Sequence, residues 1–124
     1  MSSNHLKRLA MPRSWPLPRK TSVWVTRPTP GAHSLEHCMP ITLVLRDVLN
    51  VAKTAREVRF ILHNELAKID GRVVKDTRRG VGLMDVLTLG EQNYRCVLDH
   101  KGRLQYRLIG ADEASWKVCR IDSI

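Results

Sequence analysis

Five of the six prolines in this 124-residue chain fall between Leu6 and Ser34. That clustering limits what the front of the molecule can fold into more than any other feature. Pro12, Pro16, Pro18, Pro28 and Pro30 each lack a backbone donor and hold φ at about −65°, which excludes an interior strand or a long helix. The segment also lacks the alternation or helical period of a buried element. It carries six Lys or Arg, no Asp or Glu, and two of the three tryptophans. Residues 1–39 are therefore expected to form an extended basic arm, disordered alone and ordered by threading into a folded polyanion.

The charge balance supports that reading. The chain has a net charge of +9 and 21 Lys and Arg against 12 Asp and Glu. Residues 1–40 hold six basic and one acidic side chain, 41–90 nine and six, and 91–124 six and five. A front-loaded excess of this kind is the footprint of a nucleic-acid partner. No apolar run approaches the roughly 20 residues of a bilayer-crossing helix, so no membrane role is expected. Cys38, Cys96 and Cys119 are odd in number and far apart. They fit free thiols in a reducing compartment better than disulfides or a zinc ribbon.

From Pro40 the pattern changes. Ile41, Val44, Leu45, Val48 and Ala52 recur at helical spacing, with Arg46, Asn50 and Lys53 opposite. Thr54 followed by Glu57 is a capping box that starts a second helix, apolar at Val58, Ile61 and Leu62 and basic at Arg56, Arg59 and His63. Asp70-Gly71 between two β-prone runs predicts a hairpin. Strands are expected near Asp85–Leu89, on either side of the His100-Lys101-Gly102 turn, and near Trp116–Ile121. Arm, helices, then strands make an α+β fold.

Catalytic signals are weak, and the chain is not expected to be an enzyme. No serine stands in a nucleophile-elbow context, and Gly80 and Gly82 lack the lysine and hydroxyl of a phosphate-binding loop. His33, His37 and Cys38 have no fourth ligand candidate, so surface histidines are preferred over a metal site. No cofactor or small-molecule substrate is implied. The basic groups carry the functional reading. Lys7, Arg8, Arg13, Arg19, Lys20 and Arg27, with Trp15 as a stacking or anchoring ring, equip the arm. Arg46, Lys53, Arg56 and Arg59 on the helices and Lys68, Arg72 and Lys75 at the hairpin complete a positive surface. Without helix–turn–helix spacing or base-reading Asn and Gln, folded RNA is favoured over duplex DNA.

The segments "HLKRLAMPRSWPLPRKT", "PGAHSLEHCMPITLVLRDVL", "IDGRVVKD", "VGLMDV", "KGRL" and "EASWKVC" closely resemble the small-subunit ribosomal protein S-four-e family of archaea and eukaryotes. The spelling of the arm is nearest the archaeal branch, and the resemblance runs from His5 to Ile121. It implies a structural ribosomal protein in the cytoplasm that binds small-subunit ribosomal RNA beside neighbouring ribosomal proteins. It also implies that residues 40–90 are the RNA-binding module shared with bacterial ribosomal protein S-four, with RNA contacts at Arg56, Arg59, Lys68 and Arg72. Residues 91–124 then correspond to the beginning of a central β domain. Gly80 stands where family members often have proline. A non-ribosomal RNA-binding accessory using the same module is the alternative, and a detached half of an RNA-modifying enzyme a more distant one.

Overall fold

The proline-rich segment does not stand clear of the rest of the molecule. A computed structural model describes residues 5–31, 33–119 and 121. In it the Trp15 side chain is only 2% exposed, and its Nε1 donates to the Cys38 carbonyl at 2.8 Å. Leu6, Met11 and Val25 are buried in the same core. A two-rung antiparallel ladder joins β1 (Leu6–Lys7) to β2 (Trp24–Val25). Three further ties fix the segment to distant chain. The Leu104 N–H donates to Ser14 O, the Thr29 N–H to Arg78 O, and Arg78 Nε to Arg27 O.

The expected extended arm is thus corrected to a wrapped layer. Its anchors are isolated apolar side chains on irregular backbone, which leave no period to read. Burying an aromatic side chain removes about 150–250 Å² from water, worth up to about 4–6 kcal/mol at roughly 25 cal/mol per Å². Proline's fixed φ also reduces the entropy lost on ordering the loop.

The core is built around β3 (Cys38–Pro40) and the helix that follows it. β3 pairs antiparallel with β6 (Gly80–Gly82), placing Met39 opposite Val81. The first helix, α1, is one α-turn at Ile41–Leu43 continuing as a π-turn over Val44–Val48. Residues 41–45 are all buried, so this helix is interior rather than amphipathic. Its start is capped from a distance. The Ile41 N–H donates to Arg79 O, and both the N–H and Oγ1 of Thr42 donate to Thr77 O.

The spacing predicts a helix reaching Ala52, but it ends at Val48, four residues earlier. The Leu45 carbonyl accepts from both Val51 and Ala52 N–H, and Asn50 takes a left-handed φ of 57°. Asn50 and Lys53 therefore lie in the connection instead of on a helical face with Arg46.

The second helix, α2 (Ala55–His63), has the predicted cap. Thr54 Oγ1 accepts from the Glu57 N–H at 3.2 Å, and the Glu57 carboxylate reaches back to the Lys53 N–H at 2.7 Å. Its apolar stripe, Val58 and Leu62, is fully buried. The main sheet has five antiparallel strands in the order β5-β4-β7-β8-β9. These are β4 (Ala67–Ile69), β5 (Arg72–Val73), β7 (Val86–Leu89), β8 (Gln92–Leu98) and β9 (Leu104–Ile109). Cys96, Leu104, Tyr106 and Leu87 line its inner face. The sheet runs without a break across residue 90, and the whole is α+β.

The strand expected near Trp116–Ile121 is not found among the described residues, and Arg120 lies outside them. Instead Ala111–Ala114 form a helical turn, α3, and the following chain runs irregularly. The reason is Arg95. Buried on the far side of the sheet, its guanidinium donates to the Glu113 and Trp116 carbonyls and lies 5.0 Å from the centre of the Trp116 ring. That grip uses the carbonyls a strand would need.

Replacing Trp15 with Ala is expected to lower stability by about 3–5 kcal/mol, read as a drop in the midpoint of urea unfolding. Trp24→Ala, at a side chain 55% exposed, should change it by less than about 0.5 kcal/mol.

Candidate nucleic-acid interface

α2 turns directly into the hairpin, and this junction sets the basic face. The Leu66 N–H donates to Ile61 O and the Glu65 N–H to Leu62 O, with Glu65 at a left-handed φ of 59°. Arg56, Arg59 and His63 are exposed at helical spacing on the side away from Val58 and Leu62. β4 follows immediately. Ala67 and Ile69 point inward, and Lys68 outward. At the turn Asp70 and Gly71 have φ of 52° and 82°, the double positive φ expected of Asp-Gly. Ile69 then faces Arg72 across the ladder. Arg56, Arg59, Lys68 and Arg72 are all exposed.

The other anticipated contacts divide by what their side chains already hold. Lys7, Arg13, Lys20 and Lys53 are exposed. Arg46 is half-buried and paired with Asp47 at 3.1 Å, while Lys75 lies 3.5 Å from Glu65. Arg19 donates to Leu9 O, and Arg27 to His5 O at 3.5 Å. Arg8 and Trp15 are turned inward. Arg8 is 9% exposed and spans the proline loop, donating from Nε to Pro18 O at 2.6 Å and from Nη1 to Ser22 Oγ. Both side chains therefore hold the segment together from inside. Sequence reasoning gave every arm cation one role because nothing local distinguishes Arg8 from Lys7.

Behind the hairpin turn lies a polar cluster. Lys117 Nζ donates to Asp70 Oδ2 at 3.0 Å and to Asp85 Oδ1 at 3.1 Å. Asp85, only 4% exposed, also accepts from the Gly82 N–H and contacts His33 Nε2 at 3.0 Å. The His33 ring occupies the space a Cβ on Gly82 would need, with Cδ2 2.1 Å from that position, so only glycine fits there. Burial alone would push the Asp70 carboxyl up, but the Val86 N–H and the Lys117 ammonium outweigh it and hold it below its usual value. Burial likewise opposes the charge on Lys117, and the two carboxylates reverse that and raise it.

His37 Nδ1 instead meets Ser34 Oγ at 2.8 Å. Among the described residues no group of three His, Cys, Asp or Glu side chains is placed to hold a metal ion. Cys38 and Cys96 are buried and unbonded, and Cys119 is exposed. Burial, offset in part by the Tyr106 hydroxyl, pushes the Cys96 thiol up to about 12. Cys38 is raised by the same cause. Both thiols stay protonated and inert at neutral pH.

Two measurements check this geometry. Asp70 stabilises the fold above its unfolded value of about 3.9, and that contribution is lost as pH falls through its lower folded value. Lys117 contributes fully below about 10.4, and its contribution is lost as pH rises through its raised folded value. Lys117→Met should flatten both limbs of a melting-temperature-against-pH curve and cost on the order of 1 kcal/mol near neutrality. Separately, iodoacetamide on the native chain should label Cys119 alone, with Cys38 and Cys96 reacting only after unfolding.

Residues 2–36 match the RS4NT (NUC023) domain, and residues 90–124 match the ribosomal family S4e. The small ribosomal subunit protein eS4 of Methanocella arvoryzae is 46% identical over 123 residues, 98% of this chain and 52% of that protein. Its counterpart from Nanoarchaeum equitans is 47% identical over 120 residues, 94% of this chain and 51% of that one. The crystal structure of the 30S ribosomal protein S4e from Thermoplasma acidophilum superposes with a TM-score of 0.57 at 32% identity, covering 65% of this chain and 42% of the other. The chain thus spans about half the length of the curated relatives it matches. At both ends, and at 46% identity across 98% of its length, this chain is similar to ribosomal S4e proteins.

Proposed function

We propose that this chain is a structural constituent of the small ribosomal subunit in the cytoplasm, holding ribosomal RNA beside neighbouring ribosomal proteins and catalysing no reaction. The observation that carries this reading is the 46% identity to an eS4 protein across 98% of the chain. Segment 1–39 and the helix–hairpin unit 40–90 are the RNA-facing parts, the latter acting as the S-four-type RNA-binding module. Residues 91–124 begin the central β domain. Arg56, Arg59, Lys68 and Arg72 supply phosphate contacts from α2 and the hairpin. Lys7, next to the exposed Trp24 ring on the β1–β2 ladder, supplies another with a stacking surface beside it.

Phosphate-dominated binding releases counterions in proportion to the contacts made. For about eight contacts, log affinity for folded RNA should fall with log salt at a slope on the order of −6. Filter binding of a small-subunit ribosomal RNA transcript across a salt series measures that slope. Sedimentation of the tagged chain with the small subunit through a high-salt wash checks the cellular assignment. A chain that travels free, or with other RNAs, would make it an accessory RNA-binding protein instead.

A further inference from the structure

The turn between β8 and β9 carries Lys101 and Arg103, two cations that nothing in the sequence connected with the N-terminal segment. The fold brings them together. The Leu104 N–H donates to Ser14 O at 2.7 Å, which seats the proline loop against the end of this turn. Between them opens a groove of about 600 Å³, lined by Arg13 and Arg19 from the loop and by Lys101 and Arg103 from the turn, with Pro16 and Trp15 among its walls. A separate hollow of about 520 Å³ shares Arg19 with it but is walled largely by apolar groups, Leu9 and Val23 among them. Four cations therefore border the 600 Å³ groove.

Both sides of the groove are held rigidly. Asp99 Oδ1 accepts from the Lys101 and Arg103 N–H groups at 2.8 and 2.9 Å, and Gly102 closes the turn at a φ of 81°. On the loop side, Arg8 binds the Pro18 carbonyl from within. The acidic groups nearby are Asp99, committed to its own turn, and Glu36, which lines an adjoining hollow with Arg13 and Arg19. Four positive side chains outweigh these two. The aromatic ring in the wall, Trp15, is buried, so no ring is offered for base stacking. The chemistry favours a chain of phosphates read without regard to base.

We infer that this groove is a second binding surface for the RNA backbone, in which Arg13, Arg19, Lys101 and Arg103 clasp consecutive phosphates. It deepens the ribosomal reading and rests on it. The surface lies at the β8–β9 end of the main sheet, with β7 between it and the β4–β5 hairpin. One protein thus engages RNA at two separated places.

The test uses the intact chain and a small-subunit ribosomal RNA transcript. Lys101→Gln with Arg103→Gln leaves the Asp99 bonds intact, because these come from backbone N–H groups, and the melting temperature should not move. The double variant is expected to make the salt slope shallower by about 1.4–1.8, the loss of two phosphate contacts. Arg56→Gln with Arg59→Gln serves as the comparison. A slope that falls for the helix pair but is unchanged for the turn pair overturns the groove and leaves the ribosomal reading standing. A wild-type chain without salt-dependent RNA binding removes both. As a second readout, bound RNA should protect the Lys101 amine from acetylation, and undiminished acetylation in the complex would also refute the groove.

Discussion

The contact between the Trp15 indole and the Cys38 carbonyl organises more of this molecule than its size suggests. Cys38 opens the strand that pairs with Gly82 and leads into the buried first helix. Trp15 sits in the middle of a loop with little other means of finding a fixed position. One hydrogen bond inside an apolar site ties the two, and the low dielectric there penalises any arrangement that leaves the carbonyl unpaired. With Trp15 seated, Ser14 meets Leu104 and the loop is aligned with the far turn of the sheet. The proline-rich segment is thereby part of the core's outer layer.

This changes the physical account of how the basic charge is used. A disordered arm must surrender its conformational freedom when it binds, which offsets part of the interaction. Here the ordering cost is met during folding, by buried Leu6, Met11, Trp15 and Val25. The cations are presented on a backbone already fixed by proline rings and by Arg8, which acts as an internal tie. A positively charged surface assembled in advance repels itself, and the buried anchors are what hold it against that repulsion.

Much of the helix–hairpin unit was legible in the sequence because its signals are local. Thr54 with Glu57, the Val58–Leu62 spacing and Asp70-Gly71 each specify their geometry within a few residues. The strands flanking Gly102 follow from simple alternation. The β3–β6 ladder left no such trace, since three-residue strands ending in Pro40 and bounded by Gly80 and Gly82 carry no readable period. The end of the first helix at Val48 depends on a Leu45 carbonyl shared by two later N–H groups. Burial of Arg8, Trp15 and Arg95 and the meeting of Arg13 with Lys101 are long-range outcomes of packing. Residue type alone assigns those side chains to a surface, and the tertiary fold decides otherwise for three of them.

The tie from Ser14 to Leu104 also has a consequence in time. Ninety residues, the difference between 14 and 104, separate its two ends. At roughly 5–20 residues per second, synthesis leaves the proline loop without that partner for about 5–18 s after it is made. Throughout that interval Arg13 and Arg19 stand without Lys101 and Arg103, which complete the groove. The same bond that aligns the finished groove postpones its formation until nearly the whole described chain exists.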